Sequence, residues 1–139
     1  MPRPEIPRWS RLPEFAKPDP HVSDPGALDP AALTRLDQLG GPGFRRRIIE
    51  IFLSEAPRRM ADAGHALERR DGPGLAHAVH SLISSGGNVG ADGLSSLARE
   101  MERDAEAARW EQMPERMARL TAAFATVSAG LARQREGLS

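Results

Sequence analysis

The stretch Val79-His80-Ser81-Leu82-Ile83-Ser84-Ser85-Gly86-Gly87-Asn88-Val89-Gly90-Ala91 holds the residues of this chain best suited to group transfer. His80 offers a ring nitrogen that can act as a nucleophile. Read as a helix at about 100° per residue, the segment carries an apolar stripe centred near Leu82 and Gly86. His80 then points about 150° away from that stripe, toward solvent. Ser84 follows one turn on and Gly87 two turns on, on nearly the same face. Glycine inside a helix costs about 1 kcal/mol relative to alanine, and this helix has two in succession. Gly86 falls on the core stripe, where it permits close helix packing. Gly87 falls beside His80, where it clears side-chain bulk. An exposed imidazole in a cleared patch is open to another protein's backbone. That suits a histidine that receives a group and passes it on while a partner docks.

Other chemistry is poorly supported. His77 lies three residues before His80 and about 60° away in projection, so the two are neighbours on one face. They could share a metal with His65 of the preceding helix, but no carboxylate or Cys completes such a set, and no metal is expected. The chain has no Cys, which excludes a disulfide framework, a thiol nucleophile and a Cys-ligated zinc. Ser81, Ser84 and Ser85 have no triad context, and no Gly-rich phosphate loop joins a strand to a helix. Arg45-Arg46-Arg47 reads as a solvated face. Arg58 and Arg59 are more informative. Antiparallel pairing of two helices about the turn at Asp71 puts residues near Arg59 and Met60 level with His80, so Arg59 could bring a positive charge there.

The elements that must position His80 follow from period and punctuation. Eight of the twelve prolines lie at or before Pro30. Ile6, Trp9, Leu12 and Phe15 are scattered among them without helical or strand period, so residues 1–26 read as an extended or disordered Pro-rich tail. Asp29-Pro30 is an N-cap followed by Pro at the first helical position. Leu33, Leu36 and Leu39 repeat until Gly40-Gly41 stops a short helix. A second helix from Pro42 to about Arg70 carries Phe44, Ile48, Phe52, Ala56, Met60, Ala63 and Leu67, with Pro57 expected to kink it. Asp71-Gly72-Pro73-Gly74 turns the chain into the helix of His80, whose core face is Leu75, Ala78, Val79, Leu82, Gly86 and Val89. The fourth helix uses Leu94, Leu97, Ala98, Met101 and Ala105. The fifth uses Met113, Met117, Leu120, Phe124, Val127 and Leu131.

No segment alternates with period two. The expected fold is therefore all-α, an antiparallel up-down four-helix bundle over residues 27–135 with a short extra N-terminal helix and a tail at 136–139. The composition agrees: 40% hydrophobic, 27% charged and only 4% aromatic. Nineteen basic and nineteen acidic residues cancel, so the field that phosphate-backbone binding needs is missing and nucleic acid is not an expected partner. No apolar run approaches a membrane span or a signal-peptide core, so no membrane partner is expected and the location implied is cytoplasmic.

The stretch around His80 resembles the histidine-containing phosphotransfer (HPt) domain of bacterial phosphorelays. That family's motif is a His, an apolar residue two on, Lys then Gly, small residues, an apolar residue, then Gly-Ala. His80, Leu82, Ser85, Gly86, Val89, Gly90 and Ala91 fall in register with it. Leu28-Asp29, Phe52-Leu53 with Pro57, Asp71 and Met101-Glu102 extend the likeness over about residues 27–130. Two positions depart: Ile83 stands at the Lys and Ser84 at the first Gly. The resemblance implies a monomeric relay protein that is not itself a kinase. His80 would exchange a phosphoryl group with the Asp of a receiver domain, on a response regulator or a hybrid histidine kinase. His77, Ile83, Ser84, Gly87 and Arg59 would meet the partner. No cofactor is expected on this chain, since Mg²⁺ would belong to the receiver. The departures at Ile83 and Ser84 also admit an adaptor that binds a receiver or kinase without relaying phosphate.

Overall fold

In the computed structural model, which describes residues 25–137, four helices follow one another: α1 (Pro30–Glu68), α2 (Gly72–Asn88), α3 (Asp92–Glu106) and α4 (Met113–Arg135). The first two start at side-chain caps. The Asp29 carboxylate accepts from the Ala31 amide at 3.0 Å, with Pro30 opening α1. The Asp71 carboxylate accepts from the Gly74 amide at 3.0 Å, with Pro73 in the first turn of α2. Such caps supply partners for amides that the helix itself cannot satisfy.

The two expected N-terminal helices are joined as α1 across a break at Gly41, whose φ of 81° and ψ of 179° lie outside the helical region. Glycine alone adopts that geometry without strain. At Pro57, where a kink is expected, the backbone keeps helical dihedrals and α1 runs on without interruption. Proline removes one amide donor and its ring crowds the carbonyl four residues earlier, and α1 accommodates both while keeping helical dihedrals.

Each helix packs on two others, α1 on α2 and α4, and α3 on α2 and α4, which closes a four-membered ring around one core. Short connections and paired contacts make neighbours antiparallel. Arg45 bonds Gln134, while seven residues later Phe52 meets Phe124 with ring centroids 6.1 Å apart. Ile49, Leu75, Val79, Leu82, Leu94, Met101, Met113, Leu120, Val127 and Leu131 are fully buried. All the expected core positions of α2 and α3 are buried, with Val89 just past the end of α2. The stripe of α1 is rotated slightly: Ile49 and Ala66 are buried, while Phe44, Ile48 and Leu67 are half-buried. On α4, Ala123 is buried and Met117 and Phe124 sit at the margin. Leu39 is a correction, since it is 76% exposed at the end of the bundle just before the Gly41 break.

Gly90 ties α1 to the α2–α3 turn. Its φ is +80°, and a Cβ there would lie 2.7 Å from the Asp29 carbonyl oxygen. The Asp29 amide donates to the Gly90 carbonyl at 2.8 Å. Pro25 and Gly26 already pack on the bundle, against Gly93 and Thr126. These two residues belong to the tail expected at 1–26; the rest of it, residues 1–24, and residues 138–139 lie outside the described residues. Between α3 and α4, Arg116 pairs with both Glu100 and the buried Asp104, and Arg109 reaches Asp104 at 3.3 Å. None of the described helices is long and apolar enough to cross a membrane.

Candidate functional site

His80 sits near the middle of α2 with its side chain 68% exposed. The core face of α2 is filled by Leu75, Val79, Leu82 and Gly86, so the helical period turns His80, Ser84 and His77 outward together; all three are exposed. The imidazole is not free in solvent, however. Its Nδ1 is hydrogen-bonded to the Glu102 carboxylate of α3. A carboxylate only accepts, so Nδ1 is the donor, and in the neutral imidazole this tautomer leaves the lone pair on Nε2, directed away from Glu102.

Glu102 was legible in the sequence only as part of a motif. Its partnership with His80 spans 22 residues and needs the antiparallel register of α2 against α3. A second contact sets that register. The Ser95 hydroxyl donates to the Ile83 carbonyl at 2.8 Å, and Ser95 is buried. Close approach of the helices here depends on Gly86, where a Cβ would fall 2.8 Å from Ser95 Oγ. At Gly87 a Cβ would meet only Ser95 Oγ, at 3.9 Å. Gly86 therefore serves packing, while Gly87 leaves an open surface two turns from His80.

The other singled-out residues lie around this centre on different flanks. Ile83 is half-buried at the edge facing α3 and packs against the core. Arg59 lies on the opposite flank of α2. It lines a groove between α1 and α2 with Ile48, Ile51, Phe52, Ser81 and Ser85, and pairs loosely with Asp62 at 3.8 Å. The structure thus brings Ser84 and His77 to the face of His80 and sets Arg59 across the helix from Glu102. Among the described residues, no three His, Cys, Asp or Glu side chains are grouped so as to hold a metal ion.

An all-helical bundle with an exposed histidine on its second long helix, buttressed from the third, can be compared with known proteins. The Hpt domain family model matches residues 47–130. This chain belongs to the Hpt domain family. The Hpt match runs from the later part of α1 into α4 and includes both His80 and Glu102. The Hpt fold is matched at the level of structure as well. The crystal structure of histidine-containing phosphotransfer protein B (HptB) from Pseudomonas aeruginosa PAO1 superposes with a TM-score of 0.75. It covers 81% of this chain and 96% of its own, at 22% sequence identity. No curated protein matches the sequence. As an Hpt protein the chain is a histidine phosphotransfer protein of phosphorelays, a class that interacts with response-regulator receivers and histidine kinases.

Proposed function

We propose that His80 accepts a phosphoryl group on Nε2 and exchanges it with the aspartate of a response-regulator receiver domain. The observation that carries this reading is the exposed imidazole whose Nδ1–H is held by Glu102. The Nε2 lone pair attacks the phosphorus of the aspartyl phosphate. The N–P bond forms as the P–O bond to the aspartate breaks, and the electron pair leaves with the carboxylate. The ring gains positive charge in this step, and the Glu102 carboxylate at Nδ1 offsets it. The reverse transfer uses the same groups in the opposite order.

The chain acts as a substrate of the relay with no kinase activity of its own, as a cytoplasmic monomer. Any divalent cation belongs to the receiver. The partner's loop passes over His77, Ser84 and Gly87 and meets Ile83 on one rim and Arg59 on the other. The test is incubation of the purified chain with phosphorylated receiver domains, following acid-labile phosphate. Label on His80 that returns to a receiver supports the relay. Stable receiver binding without label supports an adaptor instead.

A further inference from the structure

Phosphorylation of His80 raises an electrostatic problem that the structure itself poses. The group carries about two negative charges and forms beside the Glu102 carboxylate. Ile83, on the same edge of α2, contributes no charge. A cation is needed, and Arg59 lies on the other flank. Along α3, Ser95, Arg99, Glu102 and Glu106 recur every three or four residues and so form one stripe. Ser95 bonds the Ile83 carbonyl and Glu102 bonds His80, so that stripe faces α2 at both points. Arg99 falls between them, at the level of His80 to Ile83. It is exposed and has no ion pair or hydrogen bond with the described residues. Its neighbour Arg103 turns a further 40° or so toward solvent by helical projection. Glu106 lies a turn beyond Glu102, toward the start of α2.

We infer that Arg99 binds the phosphoryl group on His80 and neutralises its charge, supplying from α3 the cation that α2 lacks. The guanidinium suits this task, since its planar donors match phosphate oxygens and it stays charged. The assignment rests on His80 being the phosphorylated residue. Glu102 and Arg99 then divide the work across one turn of α3, the carboxylate holding the ring and the cation holding the phosphate.

The test uses the full chain and phosphoramidate as donor. In that reaction the Nε2–P bond forms as the donor's P–N bond breaks and ammonia leaves. Wild type, Arg99→Gln, Arg99→Lys, Arg103→Gln and His80→Gln are compared for phosphohistidine formation. The phosphoryl group is then titrated by ³¹P NMR, a readout that a purely structural role would not move. The charged and titratable groups on the helices packed around it are Glu102, Glu106, Arg99 and Arg103 on α3, His77 on α2, and, on the far flank, Arg58 and Arg59 of α1. Loss of a bound cation raises the phosphate's second ionisation. Arg99→Gln should therefore shift the midpoint upward and slow uptake about threefold to fivefold, the size of an exposed charge contact. Arg99→Lys should restore most of the rate and Arg103→Gln should resemble wild type. Adding Ile83→Lys to Arg99→Gln should rescue it, by returning a cation to the same edge. Wild-type uptake and an unchanged midpoint in Arg99→Gln would overturn the assignment. A wild-type chain that takes no phosphate from phosphoramidate or from any receiver overturns the reading of His80, and the role of Arg99 with it.

Discussion

His80 and Glu102 are joined across two antiparallel helices, the imidazole Nδ1–H donating to the carboxylate. One hydrogen bond thereby sets the tautomer, orients the ring and leaves Nε2 open. The pair is asymmetric in exposure: the His80 side chain is 68% exposed and that of Glu102 only 20%. The carboxylate is thus the anchored member and the ring the presented one.

Removing the anchor should slow transfer without unfolding the bundle. Glu102→Ala leaves Nδ1 to water and the tautomer unset, and should slow phosphate uptake from a receiver about fivefold to tenfold, in line with the worth of one hydrogen bond. Glu102→Gln retains an acceptor oxygen and should keep more of the rate than Glu102→Ala. Single-turnover transfer from a phosphorylated receiver measures both. An alanine variant as fast as wild type would separate Glu102 from the chemistry.

His80→Gln should abolish acid-labile phosphate while leaving the thermal transition within a few degrees of wild type, because an exposed side chain contributes little to packing. His77→Ala should retain uptake. Loss of uptake in His77→Ala with retention in His80→Gln would reassign the nucleophile. Circular dichroism alongside the labelling assay confirms that each variant is folded.

The two adjacent glycines should respond in opposite ways. Gly86→Ala drives a methyl to 2.8 Å from Ser95 Oγ, and should destabilise by about 1–3 kcal/mol in urea unfolding. Gly87→Ala meets nothing closer than 3.9 Å, and should stabilise by up to about 1 kcal/mol. Gly87→Arg should stay folded yet lose receiver binding in a titration. Undiminished binding by that variant would put the docking face elsewhere.

Ile83→Lys should raise the transfer rate a few-fold from any receiver that already works, the size of one exposed charge contact. Ile83 is half-buried at the edge of the α2–α3 contact, and a lysine stem can follow that apolar surface with its ammonium in water. The stability cost should therefore be small. Ser84→Gly removes only a hydroxymethyl from the outward face and should leave transfer intact or faster. If wild type is inert and Ile83→Lys alone is active, the natural protein is an adaptor.

Local patterns in the chain announced much of this architecture. The Asp29-Pro30 and Asp71-Gly72-Pro73 signals mark helix starts because capping is settled within four residues. The apolar faces of α2 and α3 were readable because a helix buries a stripe of fixed period. Leu39 misled for the same reason that the others did not: period says which residues share a face, but only the neighbours determine whether that face is covered at a helix end. Ile49 displaced Ile48 in the core because the facing helices set the rotation of α1.

By itself, the sequence determined that His80 would be exposed. The core face of its helix is strongly marked by Leu75, Val79, Leu82 and Gly86, and the 3.6-residue period leaves His80 no other side. What bonds to that histidine was decided only by tertiary structure. Glu102 is one of several acidic residues on α3, and Glu106 and Glu100 had equal standing by composition. The Ser95–Ile83 bond and the close approach at Gly86 slide α3 along α2 until Glu102 lies opposite the imidazole. They also put Arg99 on the Glu102 side of α2 and leave Arg59 on the other. Helical period sets where a side chain points on its own helix. The stagger and rotation between helices are set by packing many side chains at once, which local sequence does not encode.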